Sequence, residues 1–335
     1  MAQYMNSLFD YRNCIDDYSE VHSNLLYGVP MDIEPLVSIL MPTYNHTKYL
    51  KEALLSAINQ DCDFPYEIIV VDNNHESLHF LNCEIVKDIN SNKVYYYLNE
   101  KNIGPCANWN RCIQLAKGKY VSFCHDDDCL KHDALSSLIN VLHSVDKLDI
   151  SPLIIGAVDK IDLHGNYLYR ASRFNKPINK LGYKFTLLDF LENNVTNGCG
   201  SLYSRANLIE IGGYNNNFNP CFDYALNVAY TFKFGAFYSL HSTVNYRITD
   251  ENDSRNCYSE IPQANEDICR NIISIVGDKL GLLHYILKAN REVVISVNNR
   301  IYNNMHSFSL KLLWYRFLLK LFHFYNKLNR LLNIK

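Results

Sequence analysis

The chain has 335 residues, of which 48% are hydrophobic, and its 32 basic and 35 acidic residues leave a net charge of −3. This hydrophobic content excludes a disordered chain, and the nearly balanced charge argues against a nucleic-acid partner. No run of about 18 apolar residues occurs, so no membrane-spanning helix is predicted. The first thirty residues contain acidic groups and no uninterrupted apolar stretch, unlike a secretory signal. The 11 cysteines form no C-x-x-C pair and are predicted to be free thiols in a reducing cytosol.

Residues 1–35 show no clear period and are predicted to form an irregular N-terminal extension with at most one short helix. After them, short apolar runs alternate with segments of helical spacing, which indicates βαβ units and a parallel sheet. The predicted strands are 37–41, 67–71, 93–98 and 120–124, and the predicted helices are 46–59 and 105–116.

Beyond residue 128 the alternation loosens, and the chain is predicted to be mostly helical after residue 261. Between them we predict helices at 135–143 and 223–234, a hairpin at 162–170, and strands at 153–158, 199–203, 236–240 and 244–248.

Polar residues follow three of the predicted strands, at 42–45, 72–74 and 125–128. Ligands of parallel sheets bind outside these carboxyl ends, and clustered carboxylates need a cation or protons to offset their repulsion. Two explanations fit the aspartates at 126–128. One of them could cap the helix that follows, or the group holds Mg²⁺ or Mn²⁺ on a diphosphate through hard oxygen ligands.

The wider pattern is more specific than the aspartates alone. The run Val37 to Asn45, the helical positions Leu50, Ala53, Leu54, Ser56 and Gln60, and the run Glu67 to Asp72 resemble the opening of family 2 glycosyltransferases. The resemblance continues through Asn102, Gly104, Asn110 and residues 116–128, and resumes at 212–214 and 222–224. It covers residues 36–250.

This resemblance implies an α/β chain with the GT-A fold, in which helices flank a Rossmann-like, mostly parallel nucleotide-binding sheet. The predicted division is an N-terminal extension (1–35), a catalytic domain (36–255) and a helical C-terminal region (256–335). Within the catalytic domain, residues 36–130 would bind the nucleotide sugar and residues 131–255 the acceptor.

The resemblance also assigns site residues by position. Thr43 and Tyr44, with the adjoining Pro42 and Asn45, would lie against the nucleotide base, and Asp72 would accept a hydrogen bond from it. The remaining nucleotide contacts would be Asn102, Asn110 and Asp126. Asp127 would be the direct metal ligand, with Asp128 beside it.

Asp223 occupies the place of the family's catalytic base, which takes the acceptor's proton in an inverting, in-line displacement. A helix N-cap is the structural alternative for this aspartate. Arg247 and His125 would contact the diphosphate or the acceptor, with a solvated surface arginine and a hydrogen-bonded neighbour as the respective alternatives. The chain departs from many relatives at His125, where they have Asp, at 73–75, where they have Asp-Gly-Ser, and at Phe222, where they have Glu.

The implied activity transfers one sugar from a nucleotide-diphosphate donor to a glycan hydroxyl, with Mn²⁺ or Mg²⁺ as cofactor. A UDP-sugar is favoured because Asp72 suits a pyrimidine imide, and a dTDP-sugar offers the same imide. The acceptor would be a lipid-linked intermediate of a bacterial O-antigen, capsule or lipooligosaccharide. The alternative is a glycosyltransferase-like protein that binds sugar or nucleotide without turnover. A dinucleotide-dependent oxidoreductase is disfavoured because residues 42–47 contain no glycine.

Residues 293–335 contain no acidic side chain, and the apolar residues of segment 308–335 recur at helical spacing opposite its lysines and arginines. A basic amphipathic helix with Trp314 and Phe317 on its apolar side is typical of an interfacial membrane anchor. We therefore predict a cytoplasmic protein bound peripherally to an anionic membrane. The alternative is a helix packed on the body or on a second subunit, which Leu312, Leu319 and Phe322 on the polar side favour.

Overall fold

The computed structural model describes residues 8–29, 33–74, 78–171, 182–191, 198–249, 257 and 259–277, then 286–289, 291–293, 295–296, 314–315 and 317–322. The strands are β1 (Ser23–Tyr27), β2 (Val37–Thr43), β3 (Tyr66–Asp72), β4 (Val94–Asn99), β5 (Tyr120–Phe123), β6 (Cys129–Leu130), β7 (Leu153–Ile161), β8 (Tyr167–Ala171), β9 (Gly182–Phe185), β10 (Leu202–Ser204) and β11 (Ala236–Arg247). The helices are α1 (Leu50–Ile58), α2 (Leu78–Ile89), α3 (Pro105–Leu115), α4 (Ala134–Val145), α5 (Leu187–Phe190), α6 (Arg205–Glu210), α7 (Phe222–Phe234) and α8 (Ile261–Val276), with a 3₁₀ turn at Asn216–Phe218.

All the strands belong to one mixed sheet in the order β1-β4-β3-β2-β5-β10-β7-β11-β6, with β8 on β7 and β9 on β11. The run β4-β3-β2-β5 is parallel, and β7 and β11 form a second parallel pair. Antiparallel β10 joins the two parts. The parallel strands of the first part end together at the edge where the candidate site lies.

Two apolar clusters cover the two faces of the sheet. One contains side chains of α3, α6, α7 and α8, and the other contains side chains of α1, α2 and α4. Every residue of β2 and β3 is buried, as near-continuous apolar strands of a parallel sheet require. Helix α1 presents Leu50, Ala53, Leu54 and Ala57 to this core, which is the apolar stripe that its sequence spacing predicts.

The predicted α/β architecture is confirmed, and each predicted strand and helix up to residue 248 has a counterpart. Three predictions differ in detail. The first helix starts at Leu50 rather than at 46, so 44–49 form a loop after β2. The two strands predicted at 236–240 and 244–248 are one strand, β11, with register shifts between Tyr238 and Val244. The parallel pairing is concentrated in two parts of a mixed sheet.

The N-terminal segment was predicted to be irregular, and that prediction is wrong for its second half. Residues 23–27 form β1, which pairs antiparallel with β4 at the end of the sheet. Arg111 of α3 donates to the carbonyl oxygens of Val21 (2.7 Å) and Tyr18 (2.9 Å). The segment is therefore an integral layer of the fold.

All eleven cysteines are free, as predicted. In the C-terminal tail, the described helical residues 317–322 pack Phe322 into the first apolar cluster, with Leu318 and Leu319 against it. Trp314, Phe317 and Leu321 are exposed. Among the described residues, no helix is both long and apolar enough to cross a bilayer.

Candidate active site

The site lies where β2, β3 and β5 end. Thr43 and Asp72 are paired as the last residues of β2 and β3, and the chain leaves β5 at Phe123 to form the loop 124–128. We call residues 125–128 the acidic loop. Its three aspartates are adjacent in sequence but have different surroundings.

Asp126 is fixed by the loop that follows β2. Its Oδ2 accepts a hydrogen bond from the Thr43 hydroxyl at 2.5 Å, and its Oδ1 lies 3.4 Å from His46 Nδ1. These contacts hold Asp126 beside the segment 43–46. Tyr44 and Asn45 in this segment are exposed, whereas Pro42 is buried. Asn45 has a φ of +56°, a left-handed conformation that Asn tolerates better than most residues.

Asp128 is fully buried, and each of its carboxylate oxygens has a partner that stabilises the acidic loop. Its Oδ1 accepts the backbone N–H of Arg247 at 2.8 Å, and its Oδ2 lies 3.1 Å from His125 Nδ1. Burial lowers the pKa of His125, but the contact with Asp128 and the charge of Asp127 outweigh it and raise the pKa to about 9. His125 is therefore a cation at neutral pH and forms an ion pair with Asp128.

Asp127 differs from both neighbours. Within the described residues its carboxylate has no hydrogen bond and no ion pair, although only 8% of the residue is exposed. Burial, followed by the charge of Asp128, raises its pKa to about 7. A buried carboxylate without a donor is unfavourable unless a proton or a cation neutralises it. Asp127 is the member of the acidic loop that most needs a ligand.

These surroundings fit a divalent cation. Asp127 offers a hard oxygen ligand of the type that Mg²⁺ and Mn²⁺ prefer, and Asp126 adds negative charge beside it. The donor atoms of His125, Asp128 and Cys199 lie within 4.8 Å of one another. The Cys199 thiol and the His125 imidazole do not suit Mg²⁺, and His125 already pairs with Asp128. Asp127 is therefore a better candidate for the metal ligand than this group.

Arg247 is a buried anchor for the acidic loop. Its Nε donates to the carbonyl oxygen of Asp127 at 2.9 Å, its Nη2 donates to Glu52 of α1 at 2.7 Å, and its Nη1 reaches the Asp162 carbonyl at 3.3 Å. The side chain is 1% exposed, which excludes the solvated surface arginine. A direct contact with a diphosphate would require Arg247 to leave these partners, so its observed role is positioning.

Asp223 lies in the first turn of α7. The N-cap of this helix is Cys221, so the N-cap alternative for Asp223 is wrong. Its carboxylate accepts the N–H of Tyr224 at 2.7 Å. Trp109 connects this end of α7 to the acidic loop, with ring centroids 5.5 Å from Phe222 and 5.1 Å from His125. Asp223 therefore begins a helix that is packed through one aromatic ring against the acidic loop.

Asp72 is fully buried and has three donors. It accepts hydrogen bonds from Tyr96 Oη at 2.6 Å, Asn82 Nδ2 at 2.8 Å and the Asn74 backbone at 2.8 Å. Burial raises its pKa although these bonds act in the opposite direction. Contact with a nucleotide base would need a rearrangement of this network, so the predicted base contact remains a prediction.

Asn102 and Asn110 have separate environments. Asn102 is exposed, and its Oδ1 accepts Asn73 Nδ2 at 2.8 Å beside the end of β3. Asn110 is buried, and its Nδ2 donates to the carbonyl oxygens of Cys14 (3.0 Å) and Tyr214 (2.8 Å). The Asn110 amide thus joins the N-terminal segment to residue 214. These hydrogen bonds give Asn110 a structural role, and its nucleotide contact remains a prediction.

Two further residues of the site were not singled out from the sequence. Tyr246 precedes Arg247 on β11, and Lys160 is its partner on β7, where Nζ lies 3.2 Å from the Tyr246 ring centroid. The strand predicted to end at 158 extends to Ile161. A predicted strand of the correct length would have placed Lys160 at the carboxyl end of a parallel strand, and this position would have marked it as a site candidate.

The chain matches the family model for glycosyl transferase family 2 over residues 38–212, and it belongs to that family. An uncharacterized glycosyltransferase of Rickettsia felis is 33% identical over 57% of this chain and 31% of its own length. A putative colanic acid biosynthesis glycosyl transferase of Escherichia coli is 37% identical over 29% of this chain and 34% of its own length. The matched region is thus about a third of each relative.

Solved structures share the fold. Staphylococcus aureus TarS 1-349 in complex with UDP-GlcNAc superposes with a TM-score of 0.55 at 17% identity, over 80% of this chain and 74% of that one. The mannosyltransferase PcManGT of Pyrobaculum calidifontis, in complex with GDP-Man and Mn²⁺, gives 0.51 at 14% identity, over 83% and 77%. At such identities the likeness establishes the GT-A fold alone.

Proposed function

We propose that this chain is an inverting, metal-dependent glycosyltransferase that moves one sugar from a nucleotide-diphosphate donor to a hydroxyl group of a glycan. The observation that carries the proposal is Asp127, a buried carboxylate without a described protein donor at the strand ends where ligands of such sheets bind. Family membership supports the reaction class.

The proposed roles follow from the surroundings. Asp127 holds a divalent ion, and Asp126 lies beside it toward the ribose. When bound, the ion neutralises charge on the leaving diphosphate. Asp128, His125 and Arg247 hold the acidic loop in place through the contacts described above.

Asp223 is the proposed general base. It accepts the proton of the acceptor hydroxyl while that oxygen forms the new bond to the anomeric carbon and the bond to the diphosphate breaks. In this arrangement the diphosphate of the donor lies at the acidic loop, and the acceptor hydroxyl lies beside the start of α7. Inversion follows from a single in-line displacement.

The donor we favour is a UDP-sugar, with a dTDP-sugar as the second candidate. The solved structure of TarS with UDP-GlcNAc supports this choice. PcManGT was solved with GDP-Man and Mn²⁺, so a guanine nucleotide belongs in any binding panel. It also supports Mn²⁺ as the ion for a first test.

The experiment is calorimetric titration of the full chain with UDP, dTDP and GDP, with and without Mn²⁺. We expect micromolar, Mn²⁺-dependent binding of one of them. Asp127→Asn should abolish the Mn²⁺ dependence, whereas Asp223→Asn should bind the nucleotide normally and transfer no sugar. If Asp223→Asn transfers at a near-normal rate, the base lies elsewhere. If no nucleotide binds to the folded protein, the catalytic proposal fails and a non-catalytic sugar-binding role takes its place.

We further propose that the acceptor is a lipid-linked bacterial surface glycan and that residues 308–335 hold the protein at an anionic cytoplasmic leaflet. Trp314, Phe317 and Leu321 form an exposed apolar stripe, while Phe322 is packed into the body. The described residues of this segment thus have one face packed on the protein and another that is apolar and exposed. The relative from Escherichia coli, named as a putative colanic acid biosynthesis enzyme, supports a polysaccharide pathway.

A further inference from the structure

Lys160 has an unusual environment for a lysine. It lies near the carboxyl end of β7, in direct register with Tyr246 of β11. Its ammonium nitrogen is 3.2 Å from the centroid of the Tyr246 ring. The ring face supplies a cation–π contact, which holds the Lys160 ammonium in one position beside the acidic loop.

The ammonium has no carboxylate partner. Asp159, which precedes Lys160 in the sequence, forms ion pairs with Lys131 Nζ at 3.0 Å and Arg170 Nε at 2.7 Å instead. Over the described ranges, no carboxylate lies within salt-bridge distance of Lys160 Nζ. Burial lowers the pKa of Lys160 to about 8, and the nearby negative charges of Asp128 and Asp127 only partly oppose this. Lys160 is half-buried, and a partly desolvated cation with an aromatic face alone can accept an anionic ligand.

The surroundings indicate which part of the site this cation faces. Burial raises the pKa of Tyr246, and the charges of Asp128, Asp127 and Asp223 add to the effect. Tyr246 also directly precedes Arg247, whose backbone N–H donates to Asp128 of the acidic loop. A cation held over the Tyr246 ring therefore lies on the strand that is hydrogen-bonded to the acidic loop.

We propose that Lys160, held by Tyr246, binds a phosphate oxygen of the donor's diphosphate and adds a protein cation to the charge of the metal ion. The inference rests on the proposed function, because it requires a nucleoside diphosphate in this site. An ammonium is a compact charge that suits a phosphate oxygen. As the bond to the sugar breaks, negative charge grows on that phosphate and the contact strengthens.

The test uses Lys160→Met and the matched control Lys131→Met in the full chain loaded with Mn²⁺. Lys131 is a nearby lysine that has a carboxylate partner. The ligand is whichever of UDP, dTDP and GDP binds the wild-type protein, and the corresponding nucleoside is titrated by competition. We expect Lys160→Met to weaken diphosphate binding by about tenfold or more while nucleoside binding is unchanged. Lys131→Met should bind the diphosphate as the wild type does, and Lys160→Arg should recover part of the loss.

Thermal melting separates a binding role from a structural one. Because Lys160→Met removes a half-buried charge that has no carboxylate partner, its melting temperature should stay close to that of the wild type. Equal diphosphate affinity in Lys160→Met and wild type would overturn the inference, as would a parallel loss of nucleoside binding and thermal stability. Unchanged diphosphate affinity with a raised KM for an acidic acceptor would assign the lysine to the acceptor instead. If the wild type binds no nucleoside diphosphate, the proposed function itself fails, and this inference fails with it.

Discussion

The three consecutive aspartates of the acidic loop have the same side chain but different hydrogen-bond and ion-pair partners. Asp126 is bonded to Thr43, Asp128 is paired with His125 and the Arg247 backbone, and Asp127 has neither kind of contact among the described residues. The two paired aspartates stabilise the loop, while burial and then their negative charges raise the pKa of Asp127. Asp127 therefore bears most of the electrostatic repulsion within the loop, and a bound cation would offset that repulsion.

This arrangement predicts a pH dependence of metal binding. Because the pKa of Asp127 is raised to about 7 in the metal-free fold, protons compete with Mn²⁺ as the pH falls. The Mn²⁺ affinity should drop between pH 8 and pH 6, approaching about tenfold per unit below the pKa. Titration calorimetry at three pH values measures it. Asp127→Asn serves as the control, and a wild-type affinity that stays flat over this range would contradict the assignment.

At the scale of single elements, β11 delivers Arg247 to the acidic loop and to α1. Its guanidinium connects Glu52, the Asp127 carbonyl and the Asp162 carbonyl. Arg247→Met should therefore destabilise the fold by about 3 kcal/mol, since the buried Asp127 carbonyl and the half-buried Asp162 carbonyl lose their donor. It should also weaken Mn²⁺ binding.

The control for this prediction is Glu52→Gln. The Glu52 side chain is 55% exposed, so losing its charge should cost less than about 1 kcal/mol. Urea unfolding gives both values. Equal effects of the two substitutions would mean that the ion pair, rather than the carbonyl contacts, is what Arg247 contributes.

The N-terminal segment depends on a glycine. Gly212 has a φ of +83°, and a Cβ there would lie 2.1 Å from the Arg12 carbonyl oxygen. Its own carbonyl accepts the N–H of Cys14 at 2.9 Å. Gly235 is a matched control because its φ is +80° with nothing within 4 Å of the Cβ position.

Gly235→Ala should cost about 1 kcal/mol through backbone strain alone, whereas Gly212→Ala should cost at least about 3 kcal/mol because backbone must also move. The two unfolding free energies can be compared directly from urea denaturation. Similar costs would indicate that the segment is not packed against residue 212 in solution.

The sequence predicted most elements whose signal is local, although it missed the helix α2 (Leu78–Ile89). Buried strands such as β2 and β3 are apolar runs, and α1 and α7 carry their spacing within themselves. It did not predict β1, because three of its five residues are exposed and their side chains show no alternation. Nor did it predict β6, which has only two residues.

The same limit applies to the site. The strand-end rule located the acidic loop, Asp72 and Thr43. The pairing of Asp128 with the Arg247 backbone joins residues 119 apart, and no local pattern reports it. The surroundings that distinguish the three aspartates are also tertiary contacts, so only the family resemblance, and no local pattern, could single out Asp127.

At the scale of the whole molecule, the described residues of the tail, 314–315 and 317–322, bear on both alternatives that its sequence left open. Leu319 and Phe322 pack toward the body, as the packing alternative supposed, while Trp314, Phe317 and Leu321 remain exposed as the membrane hypothesis requires. Lys320 is exposed beside them.

We predict that replacing Trp314, Phe317 and Leu321 together with serine reduces sedimentation with anionic vesicles severalfold and leaves the melting temperature nearly unchanged. Leu148→Ser is the control, because Leu148 is 79% exposed and lies outside the tail. Undiminished sedimentation of the triple variant would place the anchor elsewhere. A change in subunit association would point to a protein partner on this stripe.

The position of β1 at the end of the sheet has a consequence for solubility. Without it, β4 would present a regular six-residue edge containing three consecutive tyrosines, the kind of strand that templates pairing between different chains. β1 itself is short and carries a register shift between Leu25 and Tyr27, which makes it a poor template. The N-terminal segment therefore protects the molecule against edge-to-edge aggregation, and a truncated chain that begins at β2 should precipitate rather than merely lose stability.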